Sequence, residues 1–318
     1  MIVTVTMNAA LDRTLNVPNF QLGHRHRASA GLTLAGGKGI NAARALKTLG
    51  VPVVASGLAG GRTGTWIVEE LTSEGILNDF ARITEESRTS TLVVDPTSGL
   101  STEIYEWGPH VIREELDMLL EKLAYLSRGA DVVLLAGSLP RGVDPGFYAE
   151  AVRELSKRRV RAVLDTEGEP LRLGVEAEPW LVSPNQREAE GLVGQEFHDE
   201  EDFLMALDAI AELGARNVLI GHETGVFALV REERRTQRFD ARIDGLEPLA
   251  PAGAGDAMLA AYLAARYGEQ SAEDALRAAV ATGAAATLEL GAGRFDPRDV
   301  TRLAQAVRVT AIEPVSAR

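Results

Sequence analysis

Pro251-Ala-Gly-Ala-Gly-Asp256 runs without a break into Ala257-Met-Leu-Ala-Ala-Tyr-Leu-Ala-Ala265. Small residues and glycines followed at once by strong helix formers predict a tight turn over 252–255 and a helix opened by Asp256. The first backbone N–H groups of such a helix have no helical acceptor, and the macrodipole adds partial positive charge there. Glycine lets an anion approach those groups closely, so Gly253, Ala254 and Gly255 form a candidate anion cradle. Beside it, with its pKa biased downward by the same field, Asp256 would be an ionised carboxylate. It would be suited to accepting a proton late, as a hydroxyl attacks phosphorus. The same residues also read as a plain loop with Asp256 as a helix cap worth about 1 kcal/mol.

Around this stretch, 318 residues allow one large α/β domain or two smaller ones, and 45% hydrophobic content supports a well-buried core. A formal net charge of −13 opposes binding to nucleic acid or anionic membrane, whose affinity rests on clustered Lys and Arg. The chain has no cysteine, which removes disulfides, thiolate zinc sites and cysteine nucleophiles and fits a reducing cytosol. Residues 1–7 lack the basic start of a signal peptide, and no apolar run reaches the ~18 residues of a membrane helix. A cytoplasmic protein is the expectation.

In chain order, a buried strand over 2–7 leads to Asn8-Ala-Ala-Leu-Asp12, which puts Asp12 just past a strand's carboxyl end, where α/β proteins place ligand contacts. Residues 13–17 and 27–34 alternate as partly polar strands around Gly23-His-Arg-His-Arg27, a basic cluster in an acidic chain. A second glycine turn, Ala35-Gly-Gly-Lys-Gly-Ile-Asn41, opens a helix over 42–49. It is neither a Walker A loop nor a dinucleotide fingerprint, since position 32 is leucine and no Ser or Thr follows Lys38. Residues 51–56 form a strand before a helix over 65–73, and 90–95 with 101–107 form a hairpin entered at Arg88. These hairpin strands are polar on both faces and suit a small lid. From 111 onward helices and strands alternate regularly, ending in helices over 256–267, 272–290 and 297–307. Loops at strand ends carry Ser138, Asp165, and the pair Asn185 and Glu188. That pair shares one helix face and could hold Mg2+ through its water shell, or form a capping box.

Taken together, Gly36-Gly-Lys-Gly-Ile-Asn-Ala-Ala43, Gly137-Ser-Leu-Pro140, Pro184-Asn-Gln-x-Glu188 and Ala252-Gly-Ala-Gly-Asp256 resemble the phosphofructokinase B family of ribokinase-like sugar kinases. The motifs span nearly the whole chain in the family's order and spacing. Residues 4–12, Gly60-Gly-x-Thr-Gly64 and Thr102-Glu-Ile104 resemble its hexose-phosphate kinase branch. That branch contains 1-phosphofructokinase, tagatose-6-phosphate kinase and the minor 6-phosphofructokinase. The resemblance implies a single ribokinase-like three-layer α/β/α sandwich with a small β-sheet lid made from segments near 13–34 and 88–107. It implies ATP and Mg2+ as cofactors, a sugar phosphate as substrate, and a homodimer through the lid.

Residue by residue, it makes Asp256 the catalytic base and Gly253–Asp256 the anion hole. Asp12, Gly36, Gly37, Asn41 and Ser138 would hold sugar hydroxyls. Arg25, Arg27, Lys38 and Arg88 would surround the substrate's existing phosphate. Asn185, Glu188 and Asp165 would set Mg2+ and the nucleotide phosphates, with Gly225 in the nucleotide loop. Two departures stand out. Ser183 replaces a common Lys, and Gly221-His-Glu-Thr-Gly225 replaces the usual nucleotide loop.

Overall fold

The computed structural model describes residues 1–232, 235–245 and 252–312, so Pro251 lies outside the described residues. The first half contains β1 (Ile2–Thr6), β2 (Ala10–Asn16), β3 (Ala30–Gly36), α1 (Lys38–Thr48), β4 (Val53–Gly60) and α2 (Gly61–Ser73). These are followed by β5 (Leu77–Ile83), β6 (Arg88–Asp95), β7 (Leu100–Tyr105), α3 (Arg113–Leu126), β8 (Val132–Ala136) and α4 (Phe147–Lys157). Next come β9 (Arg161–Asp165), α5 (Gly168–Val175), β10 (Leu181–Val182), α6 (Gln186–Val193), α7 (Glu200–Leu213) and β11 (Val218–His222). The remaining elements are β12 (Gly225–Glu232), β13 (Arg235–Arg242), α8 (Ala254–Tyr267), α9 (Ala272–Ala286), α10 (Pro297–Ala304) and β14 (Arg308–Ile312).

One sheet runs β14-β13-β12-β11-β10-β9-β8-β1-β4-β5, parallel from β11 to β5 and antiparallel at the β12–β14 edge. Both faces of a parallel sheet must be covered, and successive side chains alternate between them. Ile2, Val132 and Leu134 enter a core shared with α1, α2, α8 and α9, while Val3, Val133 and Leu135 enter a second core with α3, α4 and α7. The result is three layers.

The carboxyl ends of β1, β8, β9 and β11 open on one edge of this sandwich, and a second sheet, β3-β2-β6-β7, stands beside them. Its cleft end is where Ala10 pairs with both Gly36 and Arg88; its far end pairs Asn16 with Ala30. The lid segments expected near 13–34 and 88–107 therefore form one four-stranded sheet.

Several boundaries move. α8 begins at Ala254 with Gly253 in the cap position at φ 79°, so Asp256 is the third helical residue rather than the first. α1 begins at Lys38, capped by Gly37 at φ 110°. β5 and α5 are elements the chain reading did not contain, α6 is the helix opened by Asn185 and Glu188, and β14 rather than a helix is the last described element, pairing with β13.

Candidate active site

The two glycine turns meet because α1 and α8 pack side by side with their N-termini at the same sheet edge. Gly253 cannot be replaced there without conflict: a Cβ would lie 2.7 Å from the Ala292 Cα, in a backbone conformation L side chains rarely adopt. A Cβ on Gly293 would meet the backbone of Asn41 at 2.4 Å. The 291–293 turn is thus wedged between the two helix starts. Arg44 fastens the same junction from below. It is buried, donates to the carbonyls of Ala35 (2.8 Å) and Ala292 (3.0 Å), and forms a two-pronged pair with Glu74 at 2.7 and 2.8 Å.

Asn41 completes the approach. Its Nδ2 donates to Asp256 Oδ2 at 2.8 Å while its Oδ1 faces Arg44 Nη1 at 3.5 Å, an arrangement that keeps the amide donor toward the carboxylate. Asp256 is only 7% exposed. Burial pushes its carboxyl up to about 7, and the nearby charges of Asp165 and Asp12 add to this, against Lys38 and the Asn41 hydrogen bond. This corrects the downward shift expected from the helix terminus. Removal from water and two neighbouring carboxylates outweigh the dipole. The N–H groups of Ala254, Gly255 and Asp256 precede the first helical bond, from Ala257 N to Gly253 O, and Gly255 has open space where a Cβ would stand.

A cleft of about 1340 Å³ runs from this point under the lid and along the strand ends. Asp12, Gly37, Lys38, Asn41, Arg88, Ser138, Asp165, Asn185, Glu188, Gly253, Gly255 and Asp256 all line it. On the lid side, Asp12 projects from β2 into the cleft beside Gly37 and Ser90. Burial raises its pKa to about 6, with Arg88 and Arg44 pulling the other way. Gly36 does not line the cleft, but its missing side chain is needed there, because a Cβ would sit 1.8 Å from Asp12 Oδ2. Arg88 lies 5.6 Å from the centre of the Tyr105 ring. Asn8 donates to Ser138 Oγ at 3.1 Å, and the Gly137 carbonyl is held by the Tyr148 and Thr166 hydroxyls at 2.8 and 2.9 Å. The turn presenting Ser138 is thus tied to both β9 and α4.

Across the cleft, Lys38 Nζ donates to Asp165 Oδ1 at 2.7 Å and Glu188 Oε1 at 3.2 Å. Burial opposes its charge, yet these two carboxylates and Asp256 outweigh that and hold the ammonium firmly protonated. Asn185 and Glu188 form both halves of a capping box at the start of α6, at 2.9 and 2.8 Å. The capping reading of that pair holds, and it leaves Glu188 Oε1 turned into the cleft toward Lys38. Two carboxylates converging on one cation suit Mg2+, which takes one or two carboxylates and fills its shell with water and phosphate oxygens.

Other expectations change. Lys38 faces the Asp165–Glu188 side rather than Arg88, because those carboxylates supply its only recorded partners among the described residues. Arg25 and Arg27 are exposed on the connection between β2 and β3 and do not line the cleft. That connection leaves the far end of the lid hairpin, six residues or roughly 20 Å from Ala10. Ala254 forms the helix start without lining the cleft. Gly225 is a sheet position, where a Cβ would meet the Ala241 carbonyl at 2.0 Å; Gly221 is the residue of that loop on the cleft. His222 turns instead to an aromatic cluster with Phe203 and Phe227.

Reading by motif missed Arg44, Asn8 and Arg141. Arg141 lines the cleft and donates to the Gly108 carbonyl at 2.8 Å and to Glu85 at 3.2 Å. An arginine on the alanine-rich face of α1 was the available signal for Arg44.

Residues 3–299 match the family described as pfkB family carbohydrate kinase. A 1-phosphofructokinase of Borreliella burgdorferi is 31% identical over 311 residues, covering 97% of this chain and 98% of its own. A tagatose-6-phosphate kinase of Staphylococcus epidermidis is 29% identical, over 93% of this chain and 95% of its own. Among solved structures, phosphofructokinase-2 of Escherichia coli in complex with substrates and products superimposes with a TM-score of 0.88 at 27% identity, covering 96% of this chain and 98% of that one. The layered architecture with its extra small sheet is ribokinase-like.

Proposed function

The chain belongs to the pfkB family of carbohydrate kinases, and from that premise we propose that it transfers the γ-phosphoryl group of ATP to a ketohexose phosphate, with fructose 1-phosphate as acceptor and fructose 1,6-bisphosphate as product. The observation that carries this reading is the Asn41–Asp256 hydrogen bond, which places a buried carboxylate at the mouth of the free N–H groups of α8. Asp256 takes the proton from the attacking sugar hydroxyl. The N–H groups of 254–256 receive charge developing on the transferred group, where fixed donors need no reorganisation. Asp12, Asn41 and Ser138 orient the sugar, and a recess of about 70 Å³ between Asp12, Asn41, Ser90 and Tyr105 continues the cleft beneath the lid. Arg88 and Arg141 supply positive charge for the phosphate already on the substrate.

Mg2+ would be held by Asp165 and Glu188, largely through water, and when bound would neutralise charge on the nucleotide phosphates. With Ser183 on the cleft wall in place of a cation, Lys38 is the basic side chain nearest those carboxylates. The proposal includes a cytoplasmic homodimer joined through the lid. Its outer strand β7 is exposed throughout, and Leu100, Ile104, Tyr105 and Trp107 leave a large apolar edge uncovered.

The test is ATP consumption by the purified protein with Mg2+ against fructose 1-phosphate, fructose 6-phosphate, tagatose 6-phosphate and the free sugars. The expected result is a kcat/KM for fructose 1-phosphate at least about tenfold above the others. Preference for a 6-phosphate would move the acceptor oxygen from O6 to O1 within the same reaction class. Activity on free sugars alone, or none at all with folded protein, overturns the proposal. Sedimentation of the same preparation as a monomer would remove the dimer.

A further inference from the structure

A second concave surface lies on the opposite side of the sheet from the cleft. It is bounded by Arg161 at the start of β9, Trp180 just before β10, Arg216 just before β11, the end of β12, the start of β13 and the last turns of α8. The volume is about 610 Å³, within the range of small-molecule pockets. Among the described residues, five arginines, at 161, 216, 231, 235 and 266, line it against one carboxylate, Glu232. Such a concentration is unusual in a chain of net charge −13, and like charges gathered in one hollow repel unless something neutralises them.

The walls are built rather than loose. Asn217 is 2% exposed, accepts from Arg231 N at 2.8 Å and donates to the Trp180 carbonyl at 2.7 Å, fixing two sides of the pocket to each other. Arg161 stacks over the Trp180 ring at 5.2 Å, and Arg266 is held by Glu232 at 2.5 Å and by the Gln270 carbonyl at 2.7 Å. Arg161, Arg216, Arg231 and Arg235 have no carboxylate partner among the described residues. Tyr262, also on the lining, is fully buried, and its hydroxyl has no hydrogen-bond partner among the described residues. Its ionisation feels Arg266 and Glu232, which places the phenol beside the charged wall.

We propose that this basal pocket is a second binding site, separate from the catalytic cleft, for a small metabolite carrying two or more phosphate groups. Guanidinium forks match phosphate oxygens two at a time, and several of them in one hollow select multiply charged ligands over single anions. Helix α8 reaches both places, with Asp256 in its first turn and Tyr262 and Arg266 farther along. A nucleoside triphosphate and a sugar bisphosphate share the required chemistry.

The experiment follows Trp180 fluorescence in the full chain carrying Trp66→Phe and Trp107→Phe, since Trp107 lines the catalytic cleft and would report there. Inorganic tripolyphosphate is titrated without divalent metal at constant ionic strength, which removes general screening as a cause. The expected result is a saturable change whose Kd weakens at least about tenfold when Arg216→Gln and Arg231→Gln are added. Both arginines are exposed, so the quadruple variant should keep its circular dichroism and melting temperature. A titration that never saturates, or an identical Kd in the arginine variant, overturns the site. Where it saturates, parallel titrations with ATP and fructose 1,6-bisphosphate distinguish the two ligand sources by the lower Kd.

Discussion

A base that removes a proton from a sugar hydroxyl works best when its own pKa lies near ambient pH, and burial brings Asp256, the proposed base, to that range. The sign of the pH dependence follows. Below about 7 the carboxyl of the free protein binds a proton and cannot accept another, so activity is lost as pH falls. Measured with both substrates far below saturation, the rate should fall about tenfold per pH unit below that point and level off above it. A flat profile down to about pH 5 would contradict the assignment. None of this was legible in the residue itself. Its position after a Gly-Ala-Gly turn pointed to the proposed role, but its pKa depends first on burial and then on Asp165 and Asp12, distant in sequence and brought close only by the fold. The same holds for Lys38, which stands beside two glycines in the chain and between two acids in space. Arg25 and Arg27 stand apart from this chain's cleft for a converse reason. Proximity in sequence to the lid strands placed them on its far end.

At the scale of elements, the N-terminus of α8 separates what the fold needs from what the reaction needs. Gly253 at φ 79° abuts Ala292, so Gly253→Ala should destabilise the protein by roughly 2–4 kcal/mol. At Gly255 a methyl group meets nothing and would stand in the cleft, inside a helix where alanine is favoured over glycine by up to about 1 kcal/mol. Gly255→Ala should therefore keep or raise the melting temperature while lowering kcat/KM for ATP about tenfold or more. Unchanged kinetics in a folded Gly255→Ala protein would show that anions do not use this helix end. Long, periodic elements such as α3, α7 and β8 could be read from the chain, because their apolar spacing matches a face of a core. β5, as Leu77-Asn-Asp-Phe-Ala-Arg-Ile83, could not. At an edge of the sheet it carries polar residues where a central strand would be apolar, and its parallel partner β4 begins 24 residues earlier.

Over the whole molecule, an acidic chain gathers five arginines in a hollow at the amino ends of the sheet strands and the carboxylates of Asp12, Asp165, Glu188 and Asp256 in the cleft at their carboxyl ends. Stored carboxylates carry a cost that can be measured. The folded pKa of Asp256 is raised above its unfolded value, so its contribution favours folding below the ordinary carboxylate range and is lost as pH rises through about 7. Asp256→Asn escapes that loss and at about pH 8 should be more stable than the parent by roughly 1–3 kcal/mol, with no gain near pH 4.

That variant also provides the most direct test of the central claim. Turnover of Asp256→Asn with ATP, Mg2+ and fructose 1-phosphate should fall by about 10²–10⁴-fold, in a protein whose melting temperature at the same pH is equal to or above the parent's. Turnover within about twofold of the parent would contradict Asp256 as the base and, with it, the mechanism built on the meeting of the two glycine turns.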